Sequence, residues 1–217
     1  MDHERPLRER LVDVGVELVL TEGAGAVGLR EIARRAGVSH GAPRRWFPTH
    51  HALLSAIARR GFADLAGRFT AATADTGSGP ASPREQVRAL ACAYVGYALE
   101  HRGMFELMFR HDLLDGTGRA DTGQPQLRAT TQPLFRLLVS LVSRCREAGG
   151  DHPEDEGNGE NGAAEVTAAA LWAGLHGTAL LWGWGSLPLA LGDGREELVG
   201  RIVDAVLDAH LGRAADA

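Results

Sequence analysis

Apolar residues recur every three to four positions along most of this chain, and glycine- or proline-rich breaks reset their phase, so the pattern predicts a succession of amphipathic helices. Leu7, Leu11, Val14 and Leu18 form the first stripe, opened by Pro6 and closed at Glu22-Gly23. Leu29, Ile32, Ala33 and Ala36 form a second of about two turns, with Arg30, Glu31, Arg34 and Arg35 on its other side. Ala36-Gly37-Val38-Ser39 supplies a residue for a left-handed turn, an apolar plug and a capping hydroxyl. A helix is expected from His40 to Phe47, starting no later than Ser39 because Pro43 is tolerated only in a first turn. Pro48 stops it, and Thr49 caps a long helix through Leu53, Leu54, Ile57, Phe62, Leu65 and Phe69 to about Ala74.

The remainder continues in the same manner. Asp75 to Ser82 is turn-rich, and Ser82-Pro83-Arg84-Glu85 is a cap, a first-turn proline and a capping-box acid, opening a helix that buries Val87, Leu90, Tyr94 and Ala98 up to His101. Arg102-Gly103 breaks the chain before a short helix, Met104 to Arg110, and Leu113 to Pro125 reads as loop. Leu134, Leu138, Leu141 and Cys145, with Leu137 and Val142 beside them, mark a core helix from Leu127 to Ala148. Residues 151–162 hold five acids, no arginine and no apolar side chain, so a mobile acidic loop is expected; its spacing matches no calcium loop. Two final helices, Ala163 to Trp184 and Arg195 to Leu211, are separated by breaks at 185–188 and 192–194 and read as a docking pair.

Two short helices joined by a glycine turn are a helix-turn-helix. Gly41 and Ala42 let the backbone approach a bulky partner while Arg44, Arg45 and Trp46 follow one turn later, an arrangement suited to base edges and phosphates of a DNA groove. The net charge of −5 argues against a protein that coats nucleic acid, but its distribution is uneven. Residues 1–62 carry ten arginines against seven acids, and the remainder thirteen against twenty-one. Arg5, Arg8 and Arg10 at the start of the first helix either touch the DNA backbone or are simply solvated. Cys92 and Cys145 lie within helical patterns, so no disulfide is expected; with no signal-type run at the N-terminus, a cytoplasmic protein is the expectation. The apolar stretch Ala168 to Trp184, broken by glycines and His176, is too short for a membrane span. No zinc-protease, nucleophile-elbow or phosphate-loop motif occurs, and His50, His51, His101 and His111 lack partners at ligand spacing, so neither an enzyme nor a bound metal or cofactor is expected. The alternative is an all-helical small-molecule-binding or metal protein without DNA binding.

From Leu7 to Phe62 the chain resembles the N-terminal domain of the TetR family of bacterial transcription regulators, through Ile32-Ala33, Ala36-Gly37-Val38-Ser39, Gly41-Ala42, Phe47-Pro48 and Ala52-Leu53-Leu54. It departs from the pattern at Pro43-Arg44, Trp46 and His50. Trp172, His176 and Gly177 resemble the W-x-x-x-H-G signature of one branch of that family's C-terminal domains. The resemblance implies an all-α protein with a helix-turn-helix head over residues 1–48 and a regulatory and dimerisation domain over 49–217, the connecting helix 49–74 included. It also implies a ligand-responsive repressor that binds a pseudo-palindromic operator in double-stranded DNA as a homodimer. DNA contacts are expected from Arg30, Ser39, His40, Gly41, Ala42, Arg44, Arg45, Trp46, Thr49 and His50. Phe62, Phe69, Tyr94, Tyr97, Phe105, Met108, Phe109, Trp172 and His176 are the candidates for lining a site for a small, mostly apolar effector. For His176 a second reading stays open, a core histidine bonded to a backbone carbonyl. Leu180, Leu198, Ile202 and Val206 are the expected dimer contacts.

Overall fold

The computed structural model describes residues 6–74, 81–110, 114, 127–149, 159–192 and 195–213. In chain order its helices are α1 (Leu7–Glu22), α2 (Leu29–Arg35), α3 (His50–Ala72), α4 (Pro83–Glu100), α5 (Arg102–Phe109), α6 (Leu127–Ala148), α7 (Gly159–Gly183), α8 (Ser186–Leu191) and α9 (Arg195–Leu211), with 3-10 turns at Ala24–Ala26 and Pro43–Arg45. No strand occurs among the described residues. They form two compact units, one from Met1–Asp64 with His101–Thr130 and one from Leu65–Glu100 with Thr131–Ala217, so α3 contributes to both.

In the first unit Pro6 precedes α1 as its cap, one position earlier than expected. Gly28 precedes α2 in extended conformation and has no side chain to accept from the helix's free N–H groups, so this helix starts weakly. Its far end is firmer. Gly37 adopts φ 67°, a left-handed conformation that glycine takes without strain, the Val38 N–H bonds Ala33 O at 3.0 Å, and the Arg10 guanidinium of α1 donates to Ala36 O at 2.9 Å. Thr49 caps α3, its Oγ1 accepting from Ala52 N–H at 3.0 Å.

Leu11, Leu18, Ile32, Phe47, Leu53 and Ile57 are fully buried and form the centre of this unit. α5 packs closely against it. A Cβ built on Gly103 would lie 2.5 Å from Val19 O of α1, and one on Gly61 of α3 would lie 2.7 Å from Met108 Sδ and 2.8 Å from Met104 Cγ. Ser55 Oγ donates to Leu114 O at 2.7 Å.

In the second unit the capping box of α4 forms as expected: Glu85 N–H donates to Ser82 Oγ at 3.2 Å and Ser82 N–H to Glu85 Oε2 at 2.7 Å. α4, α7 and α9 pack on one another. Gly174 brings α7 close to α9, where a Cβ would meet Val206 Cγ1 at 3.0 Å. Two ion pairs tie α4 to α9, Arg84 to Asp208 and Arg88 to Asp204 at 2.6 Å. Arg84 also donates to Gly212 O at 2.6 Å, covering a carbonyl beyond the end of α9.

Three expectations need correction. α7 begins at Gly159, so the last residues of the expected acidic loop are helical, while 151–158 lie outside the described residues. The break at 185–188 is mostly helix: Gly185 (φ 79°) turns the chain and α8 follows at once, ending at Gly192 (φ 81°). Leu137, placed beside the core face of α6, is 39% exposed. The loop expected between Leu113 and Pro125 lies outside the described residues except for buried Leu114.

Candidate nucleic-acid interface and effector site

The segment expected to be the second helix of the helix-turn-helix is instead a tight turn. Ala42, Arg45 and Trp46 N–H groups bond Ser39, Ala42 and Pro43 carbonyls at 3.0, 3.3 and 3.0 Å, each three residues back, and only Phe47 reaches four residues back, to Pro43 O at 2.8 Å. The reason is Pro43, whose missing N–H removes the bond that an α-helix would make to Ser39 O. The residue preceding the 3-10 turn is Ala42 and no side chain caps it, so the capping role expected of Ser39 is not found.

A 3-10 turn separates successive residues by about 120°. Pro43 points inward and is buried, which leaves Arg44 and Arg45 exposed on two different sides; Trp46 is 44% exposed. Phe47 anchors the turn, fully buried, with the Arg8 guanidinium 5.5 Å from its ring centroid. Arg8 and Arg10, read as either backbone contacts or solvated charges, thus have structural positions within the first unit. His40 and Gly41 are exposed and Ala42 half-buried.

The nearby charges divide sharply. Glu31 takes Arg34 on both oxygens, at 2.8 and 2.5 Å, and also Arg35 at 2.7 Å; Arg35 reaches Glu22 as well, at 2.5 Å. Hydrogen bonds from Arg34 and then Arg35 hold the Glu31 carboxyl down at about 2, so it is ionised throughout the neutral range. Arg30, Arg44 and Arg45 are exposed and make no ion pair among the described residues. At the start of α3 the His50 Nε2 lies 2.6 Å from Val27 O. A carbonyl only accepts, so Nε2 carries the proton and ties the start of α3 to the turn before α2.

The candidate effector residues fall in both units. In the first, Phe62, Phe105 and Met108 are buried core, Phe109 meeting Phe62 edge-on at 5.5 Å and Phe105 at 4.9 Å. In the second, Tyr97 is buried beneath the Arg68 guanidinium, 5.0 Å from its ring centroid, and Phe69 is buried on α3. Tyr94, Trp172 and His176 come together. Trp172 Nε1 lies 2.9 Å from Tyr94 Oη, which lies 2.7 Å from His176 Nδ1. An indole N–H can only donate, so Tyr94 Oη accepts it, and the assignment that gives each group one role directs the phenol proton to Nδ1. Burial raises the Tyr94 pKa, a shift partly offset by the Trp172 bond, and burial lowers that of His176, so both are neutral at neutral pH. One partner of His176 is therefore a phenol, at Nδ1.

One aromatic residue is not singled out by the sequence: Phe135 of α6, which meets Trp172 edge-on at 6.2 Å. Trp182, 3% exposed, has a buried Nε1 with no hydrogen-bond partner among the described residues. Among the described residues no cluster of histidine, cysteine or acid is placed to hold a metal ion, and no helix is long and apolar enough to cross a membrane.

The expected dimer residues Leu180, Leu198, Ile202 and Val206 are all half-buried, and Val206 faces Gly174 of the same chain. In the second unit the most exposed apolar side chains lie elsewhere: Val166 (70%), Leu181 (42%) and Trp184 (58%) on or just after α7, and Leu189 (90%) and Leu191 (50%) on α8. The sequence signal was that α7 is apolar all round, which leaves part of it uncovered by its own chain.

The sequence matches a family described as tetracyclin repressor-like, C-terminal domain, over residues 87–206. Among solved structures, a protein of unknown function from Rhodococcus sp. RHA1 is 28% identical with a TM-score of 0.72, covering 97% of this chain and 98% of that one. A TetR transcriptional regulator from Streptomyces coelicolor is 25% identical, covering 95% and 99%, with a TM-score of 0.50. A regulatory protein of the TetR family from Rhodococcus RHA1, 20% identical over 97% and 100% with a TM-score of 0.65, shares the fold. No curated protein matches the chain significantly.

Proposed function

Because this chain belongs to the tetracyclin repressor-like (TetR) family and is a DNA-binding transcription regulator, we propose that it is a cytoplasmic, ligand-responsive repressor, binding a pseudo-palindromic operator as a homodimer and leaving it when a small, mostly apolar effector binds. The observation that carries the DNA reading is the division of charge around the turn. Acids compensate Arg34 and Arg35, while Arg30, Arg44 and Arg45 stand exposed beside the small residues Gly41 and Ala42. Such side chains suit phosphate oxygens and guanine edges.

Residues 1–48 act as the reading head and 49–217 as the regulatory and dimerisation part. The exposed apolar face of α7 and α8 supports two-fold pairing, with Val166, Leu181, Trp184, Leu189 and Leu191 as its contacts. The effector binds the second unit near Tyr94, Trp172 and His176 and weakens DNA binding by the factor by which DNA weakens effector binding.

Binding-site selection from random duplex DNA by the full-length protein tests this. A two-fold motif with half-sites about one helical turn apart, about 34–36 Å, is expected, with affinity falling steeply as salt rises. Recovery of no preferred sequence would overturn the reading.

A further inference from the structure

The chain leaves α2 through the peptide plane that joins Ala36 to Gly37. Both polar ends of that plane are held: Gly37 N–H bonds Arg34 O at 3.2 Å, and Ala36 O accepts from the Arg10 guanidinium of α1 at 2.9 Å. Gly37, at φ 67°, has no side chain to fix its torsions, and a Cβ built there would meet nothing within 4 Å. Hydrogen bonds therefore set this swivel, the third being Val38 N–H to Ala33 O at 3.0 Å. Of the three, only the Arg10 bond comes from another element, so it is the one that orients the turn against α1. Its donor is charged and lies at the negative end of a helix. Ala36 is 6% exposed, which makes water a poor substitute. Arg10 is well based, next to fully buried Leu11 on α1. The reading turn begins just beyond, where Ser39 O accepts from Ala42 N–H at 3.0 Å.

We propose that Arg10 is a positioning residue for operator recognition: without touching DNA, it aims the segment from Ser39 to Trp46 by holding the Ala36 carbonyl against α1. The inference rests on the reading that this segment meets DNA, and it gives Arg10 a role different from that of a phosphate contact. Base readout needs side chains placed to within a fraction of an ångström, whereas attraction to phosphates tolerates displacement. Release of the carbonyl therefore costs affinity for the operator and spares affinity for unrelated duplex.

The full-length native protein and Arg10→Met, which keeps the stem and removes the donors, are titrated with the selected operator and with a scrambled duplex of the same composition. Arg10→Met is expected to bind the operator about ten-fold more weakly, to bind the scrambled duplex within about two-fold of native, and to keep the salt slope of both. Arg10→Lys, with a donor of similar reach, should restore most of the preference. A general loss of stability does not imitate this result, since it removes binding-competent protein and lowers both affinities by one factor. Equal losses on both duplexes, with a salt slope smaller by about one, would make Arg10 a phosphate contact and end the proposal. An unchanged preference for the operator would end it too. If Arg10→Met does not fold, the native protein decides: the side-chain N–H resonances of Arg10, assigned through Arg10→Lys, are expected to exchange slowly with water in the free protein and to stay in place when operator is added. Resonances visible only with DNA would contradict the proposal. Native protein that binds operator and scrambled duplex alike overturns the DNA reading itself and the proposal with it, a result separate from any that the variants give.

Discussion

The core that α1, α3 and α5 enclose in the first unit contains no buried polar side chain among the described residues, whereas the second unit holds a phenol, an imidazole, two indoles and Thr178 in or at the edge of its interior. The difference separates two tasks. Apolar packing has no directional preference to switch, so the first unit holds the reading turn in one arrangement. Directed hydrogen bonds have alternative states that a bound molecule can select. Changes to the first unit should therefore appear as lost stability or lost DNA affinity, and changes to the second as altered effector response with DNA binding intact.

Replacing Arg44 and Arg45 together by alanine gives the largest expected effect. Each base contact removed should cost about 1–3 kcal/mol of operator affinity, and each phosphate contact should lower the salt slope by about one. The urea midpoint should not move, since neither arginine has an ion-pair partner among the described residues. Unchanged operator affinity would erase the contrast between the reading turn and α2.

Packing in the first unit comes next. Gly103→Ala places a methyl group 2.5 Å from a backbone carbonyl, so α1 or α5 has to move, at a cost of about 1–3 kcal/mol in urea unfolding. Gly61→Ala meets the ends of two flexible methionines and should cost less. The opposite order would mean that the first unit is more plastic than its packing implies.

Tyr94→Phe probes the other side of the comparison. It keeps the ring but removes the hydroxyl that the Trp172 N–H and His176 Nδ1 meet, at a cost of about 1–3 kcal/mol. Operator affinity in the absence of effector should be unchanged in a gel-shift titration. A parallel loss of DNA binding would show that the second unit does more than respond.

The smallest effect is that of pH. Burial holds the folded-state pKa of His176 below its ordinary 6.5, so on acidification the unfolded chain takes up the proton first. The stability associated with neutral His176 is complete above 6.5 and is lost as pH falls from there to the folded value. Urea midpoints of the native protein and His176→Gln should converge across that window. Parallel profiles would remove His176 from the account.

How legible all this was depended on distance along the chain. The Thr49 cap, the Ser82 and Glu85 capping box and the left-handed Gly37 are events within a few residues, and their side chains announce them. Pro43 reads from the sequence as a tolerable first-turn residue; its missing N–H decides the geometry, and Gly41 nearby adds little helix preference to oppose it. The pairing of Trp172 with Tyr94 spans 78 residues and that of His176 with Tyr94 spans 82, so a helical pattern could nominate each residue but not join them. The sequence of α8 reads as a break because its six residues lie between glycines and include Pro188. Nothing near His50 in sequence points to its bond with Val27 O.

Gly61 makes room for the thioethers of Met104 and Met108, which are 2% and 0% exposed. Sulfur so enclosed reacts with peroxide only when the unit opens, and a sulfoxide, being polar and larger, does not fit back beside α3. Oxidation of these two methionines is therefore a clock: its rate in dilute peroxide, counted by mass spectrometry, records how often this half of the regulator comes apart, and each tick removes a molecule for good unless a reductase restores it.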